Sequence, residues 1–125
     1  MVERAIESYR DLRVWQQSMS LAEASYHLTR QFPKDELYGM VSQIRRSAVS
    51  IPANIAEGNG RENRGEYIHF LRIAQGSLKE LETHLMLAGR VGLSPATALE
   101  GVLSQCGDVG KMLRGLIRSL QKGKQ

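Results

Sequence analysis

Residues 42–61 read SQIRRSAVSIPANIAEGNGR, and this stretch decides the fold. Counting back to Met40, the apolar residues Met40, Ile44, Ala48, Ile51 and Ile55 recur at steps of three and four, the period of one helix face. Pro52 stands in the middle, where it removes a backbone donor and crowds the carbonyl four residues back. The apolar register nevertheless carries on from Ile51 to Ile55. The stretch therefore reads as one kinked helix that starts near Asp35 or Glu36 and is closed by Gly58-Asn59-Gly60. Hydroxyls of Ser47 or Ser50 are the groups at hand to relieve the amide deficit around Ala48.

Downstream, Asn63 with Glu66 resembles a capping box. Tyr67, Leu71, Ala74, Leu78, Leu81, Leu85 and Ala88 then form a continuous heptad stripe, widened by Phe70, Ile73, Leu87 and Val91. Gly76 inside this helix reads as a mark of close helix approach, and Gly92 as its end. Ser94 as N-cap and Pro95 at the first helical position open a last helix. Its stripe is Leu99, Val102, Cys106, Val109, Leu113, Leu116 and Leu120. It also carries Gly101, Gly107, Gly110 and Gly115, which cost about 3–4 kcal/mol of propensity against alanine, so packing must hold it. Upstream, residues 1–10 read as a loosely held arm. Asp11 is placed to cap a first helix that runs to about Gln31 and is closed by Phe32-Pro33. That helix has a main seam of Leu12, Trp15, Met19, Ala22 and Tyr26, with Val14, Leu21 and Leu28 beside it. Four helices on short connections predict an all-α protein, an antiparallel up-down-up-down four-helix bundle with a Pro-kinked second helix, as a single domain over residues 1–125.

At 42% hydrophobic and 24% charged residues, the composition is that of an ordinary soluble globular chain. No run is apolar enough to span a bilayer, and the charged N-terminus lacks the apolar core of a secretion signal. Cys106 is the only cysteine, which excludes an intramolecular disulfide and fits a reducing cytoplasm. A cytoplasmic protein without membrane contact is the expectation. The net charge of +4 is uneven: from Ser94 onward there are five Lys/Arg against two Asp/Glu, and elsewhere twelve against eleven. The polyanion argument therefore belongs to the last helix.

Lys111, Arg114, Arg118 and Lys122, spaced 3, 4 and 4, share one face there, with no acid after Asp108. This is the best nucleic-acid-binding stripe in the chain, the alternative being a solvated face whose cations favour a helix C-terminus. Arg61 and Arg64, beside the polar loop, are candidates to join such a surface. Arg45 and Arg46 read either as phosphate binders or as partners of Glu57, Glu80 or Glu82 in structural ion pairs; the acids at hand favour the pairs. No aromatic lies in the last helix, which argues against base-specific reading of single strands. Glu66-x-x-His69 is half of a di-iron motif, but it occurs once and off the core stripe; Glu23 and His27 face outward. His84 reads as a surface or interface residue, and Cys106 as a small core residue. With no phosphate loop, nucleophile elbow or zinc spacing, neither an enzyme nor a cofactor or metal is expected.

The segments DLRVWQ (11–16), FPKDELYGMVSQIRRSAVSIPANIAEGNGR (32–61) and EYIHFLRIAQGSLKELETHL (66–85) resemble the 23S ribosomal RNA intervening-sequence protein family. The resemblance implies a small bacterial four-helix bundle that assembles as a homopentameric ring, with no established biochemical activity. The stripes argue independently for association. Val14, Leu21 and Leu28 on the first helix, with Phe70 and Ile73 on the third, exceed what one core seam needs, and burial against a neighbouring copy is the simplest remedy. The expectation is a non-enzymatic oligomer whose basic faces dock RNA or a ribonucleoprotein; the alternative is a protein-only assembly or scaffold module.

Overall fold

The computed structural model describes residues 7–123, all of it helix and turn. Its four α-helices are α1 (Arg13–Thr29), α2 (Ser42–Asn59), α3 (Arg64–Arg90) and α4 (Ala96–Lys122). Contacts join α1 to α2, α2 to α3, α3 to α4 and α4 back to α1, so the helices enclose one shared core. α3 runs opposite to α2, since Ser50 meets Ser77 and Gly58 meets Phe70, and opposite to α4, since Leu78 meets Gly110 and Arg64 meets Gly123.

The stretch read first behaves as its periodicity requires. Ile44, Ala48, Ile51 and Ile55 are each 0% exposed, and α2 passes through Pro52 without interruption. Neither serine hydroxyl relieves Ala48, contrary to expectation. Ser47 Oγ donates to the carbonyls of Gln43 (2.9 Å) and Ile44 (3.1 Å), while Ser50 Oγ bonds Ser77 Oγ across to α3 at 2.7 Å. Before α2 the chain is less regular than the sequence suggests. A 3-10 turn at Lys34–Glu36 leads into a π-helical turn at Leu37–Val41, with non-helical torsions at Gly39.

The α3 stripe lies in the core as read, from Leu71 to Ala88, with Tyr67 partly buried. Asn63 Oδ1 accepts from the Glu66 amide at 3.0 Å, the expected cap. At the other end Gly92 has φ +81°, and the Leu93 N–H reaches back to the Ala88 carbonyl at 2.9 Å. That is the left-handed closure that glycine permits. α4 begins one residue later than read: Pro95 is the N-cap, and the Ser94 side chain makes no capping bond.

At the amino end three expectations change. Residues 1–6 of the arm lie outside the described residues, but residues 7–10 are held. Ser8 and Asp11 form a capping box around a 3-10 turn, and Tyr9 stacks edge-on against Trp15 at 5.2 Å. Asp11 therefore caps that turn, and α1 starts after Leu12 without a side-chain cap. Both stripes of α1 contribute to the core, with Leu12 and Ala22 of the main seam buried and Trp15 partly so. Val14, Leu21 and Leu28 are buried in the core of the single chain, so they are not the oligomer interface expected of them, while Met19 and Tyr26 from the main seam reach solvent.

The glycines divide in a similar way. Gly76 is not a close-approach site, since nothing lies within 4 Å of the Cβ it lacks, and the same holds for Gly101, Gly107 and Gly115. Close approach occurs at Gly58, where a Cβ would sit 2.8 Å from Phe70 Cβ and 3.1 Å from the Tyr67 carbonyl oxygen. Gly58→Ala is therefore expected to destabilise the bundle by about 1–3 kcal/mol through overpacking. Gly107→Ala, facing open space, should stabilise it by up to about 1 kcal/mol. Urea midpoints of the two variants should move in opposite directions.

Candidate nucleic-acid interface

Heptad burial of α4 sets its basic face. Leu99, Val102, Cys106, Val109, Leu113 and Ile117 point into the core, which turns Lys111, Arg114, Arg118 and Lys122 to solvent. All four are exposed and none has an ion-pair partner among the described residues. Gly110 lets α3 come close, since a Cβ there would lie 3.3 Å from a Leu78 methyl. Beside this contact a groove runs between the two helices, lined by Arg72, Gln75, Gly76 and Lys79 from α3 and by Gly110 and Arg114 from α4. Arg72 was not singled out in the sequence. It lies on the outer face of α3, and only the pairing of α3 with α4 brings it opposite Arg114.

Of the other candidate cations, Arg61, Arg64 and Arg45 are engaged. Arg61 pairs with Glu57 at 2.6 Å and Glu66 at 3.8 Å, and its guanidinium lies 4.9 Å from the centroid of the Phe70 ring. Arg64 donates to the Gly123 carbonyl just past the end of α4, which brings it to the end of the basic stripe. The expected pairing of Arg45 or Arg46 with Glu57 or Glu82 does not occur. Glu57 is taken by Arg61, and Glu82 by Lys79 at 3.2 Å. Arg45 Nε instead donates to Thr29 Oγ1 at 2.9 Å, and the guanidinium lies over the Tyr26 ring at 4.5 Å. There it ties α2 to the C-terminal turn of α1, where a cation suits the helix dipole. Arg46 is exposed and makes no ion pair. Of the remaining interface candidates, Phe70 packs over Gly58 and is partly buried, while Ile73 is 39% exposed.

A family model for the 23S rRNA-intervening sequence protein matches residues 10–115. The chain belongs to that family. Among solved structures, it is similar to a crystal structure of a protein with unknown function from the S23 ribosomal protein family of Bacteroides thetaiotaomicron VPI-5482. The two share 27% identity with a TM-score of 0.79, over 84% of this chain and 95% of the other. No curated protein matches it. In this intervening-sequence protein the family match includes Lys111 and Arg114 but stops before Arg118 and Lys122, so the stripe extends past the matched region.

The rest of the surface offers little chemistry. Among the described residues no three of His, Cys, Asp and Glu are grouped to hold a metal ion, and no helix is long and apolar enough to cross a membrane. His69 stacks edge-on with Phe70, and His27 Nδ1 lies 3.3 Å from Arg30. His84 is half-buried, with its Nε2 lacking a hydrogen-bond partner among the described residues. The Tyr67 hydroxyl is pushed up by burial, partly offset by the bond from Asn59 Nδ2 at 3.1 Å.

Burial pushes the Cys106 thiol up from its ordinary 9.0 to about 12; the Glu82 carboxylate adds to this and Lys79 opposes it. The folded protein should therefore resist iodoacetamide at pH 8, where denaturant should expose Cys106 to rapid labelling. Because the unfolded thiol ionises near 9.0 and the folded one near 12, stability should also fall as pH rises through that interval.

Proposed function

We propose that this protein is a non-enzymatic, self-associating module that binds nucleic acid through the phosphate backbone. The observation that carries the reading is the α4 face, with four exposed cations at helical spacing and no acid to neutralise them. Phosphate contacts need only exposed, unpaired positive charge, and they give sequence-independent affinity that falls steeply with salt. The corresponding test is a filter-binding titration with structured RNA at several salt concentrations. A steep salt dependence supports the reading, and absence of any affinity for RNA or DNA at low salt rejects it.

Self-association rests on the apolar surface the fold leaves outside. Ile73 and Leu87 on α3 and Val91 just past its end are 39%, 46% and 60% exposed. Between α1 and α2, Met19, Tyr26 and Val49 line a groove over Pro52 whose α1 side also carries Glu23, His27 and Arg30. These residues replace Val14, Leu21 and Leu28 as the contact surface, and the family resemblance favours a closed ring of five. Light scattering decides it: a mass near 14.0 kDa rejects association, and a dimer rejects the ring alone.

A further inference from the structure

We infer that the α3/α4 groove seats one phosphodiester strand of a double helix, gripped from α4 by Lys111, Arg114, Arg118 and Lys122 and from α3 by Arg72. This rests on the phosphate-binding reading above and adds to it a second wall and a class of nucleic acid.

The groove lining carries Arg72, Lys79 and Arg114 and no acid. Lys79 is partly neutralised by Glu82, so the unpaired charge of the α3 wall is Arg72, which makes no ion pair. The floor is Leu78 and Gly110, and Gly76 on the wall has open space where a side chain would stand, so a backbone can lie close to the helices. From Lys111 to Lys122 the cations span about 16 Å at 1.5 Å per residue. One strand of a duplex presents about five phosphates over that axial length, at 3.4 Å each. Arg72 and Arg114 line the groove itself, and Lys111, Arg118 and Lys122 extend from Arg114 along the exposed face of α4, five cations in all.

Duplex is favoured over single strand because nothing here can hold unstacked bases. Single-strand sites combine a basic groove with aromatic platforms, each worth a substantial share of the affinity. No aromatic lines this groove, and those early in α3 are committed elsewhere: Tyr67 bonds Asn59 and Phe70 packs over Gly58. A duplex keeps its own bases stacked and offers only phosphate and sugar.

The test is a fluorescence-anisotropy titration of the full chain with a 20-base-pair RNA duplex, the same duplex in DNA, and one of its strands, at about 50–200 mM salt, the range over which phosphate contacts are read. The RNA duplex should bind at least tenfold tighter than the strand. Arg72→Gln should weaken duplex binding about five- to tenfold and reduce the logarithmic salt slope by about 0.9, the loss of one phosphate contact. Gly76→Gln should weaken it without changing that slope, by bulk alone, while circular dichroism shows helicity retained. DNA binding as tight as RNA supports a backbone site; a preference for the single strand overturns the duplex assignment. If Arg72→Gln equals wild type while the four-fold α4 glutamine variant loses binding, the groove is wrong and the phosphate-binding reading stands. If the wild type binds none of the three probes, both fall.

Discussion

Glutamine at Lys111, Arg114, Arg118 and Lys122 together is expected to lower RNA affinity by about three to four orders of magnitude at 0.1 M salt. Each phosphate contact contributes close to one unit of logarithmic salt slope, so four lost contacts reduce the slope by about 3–4. Projected from 1 M to 0.1 M salt, that change in slope becomes the same number of decades in affinity. The loss should be similar for unrelated sequences, because phosphates carry no sequence information. The fold should survive. All four side chains are exposed and none pairs with an acid, so the only structural loss is the interaction of the last cations with the α4 dipole, about 0.3–1 kcal/mol each at most. A variant that keeps wild-type affinity and slope while folded would show that the stripe is solvation, and would favour the scaffold reading.

Leu21→Glu should abolish folding, whereas Met19→Glu, two residues away on the same helix, should leave it nearly intact. Leu21 is 0% exposed and its stripe mates Val14 and Leu28 are buried with it; Met19 is 41% exposed in the α1/α2 groove. Removing a buried leucine costs about 2–5 kcal/mol, and placing a carboxylate there adds several more. A domain of this size has about 5–15 kcal/mol in total, so the helical signal of Leu21→Glu should collapse at 25 °C. Met19→Glu should keep its helicity and, if the groove meets a neighbouring copy, dissociate the assembly. Circular dichroism with light scattering on both variants reads the two effects separately. A helical Leu21→Glu monomer would return Val14, Leu21 and Leu28 to an interface.

Much of the bundle was legible because helical periodicity is a local property. The α3 stripe, the run from Ile44 to Ile55 through Pro52, the Asn63 cap and the Gly92 closure each follow from residues within a turn or two of one another. The sites were less legible for the same reason. Arg45 and Arg46 had acids at hand in the same bundle, yet Glu57 is one turn from Arg61 and Glu82 is one turn from Lys79. Both acids are engaged by these local partners, and neither pairs with Arg45 or Arg46. Arg45 found its partners sixteen and nineteen residues back, on a helix whose approach no local pattern specifies.

The sequence by itself determined that this chain makes four amphipathic helices with one basic face at the end, since spacing along a helix places residues on a face whatever lies opposite. Tertiary structure alone decided which residues of the two apolar arcs on α1 are buried, which glycines are contacts and which are open surface, and that Arg72 stands across a groove from Arg114. Each of those depends on the rotation of a helix about its axis and on the neighbour it meets. That rotation is set by the packing of all four helices together, and no single stripe contains it.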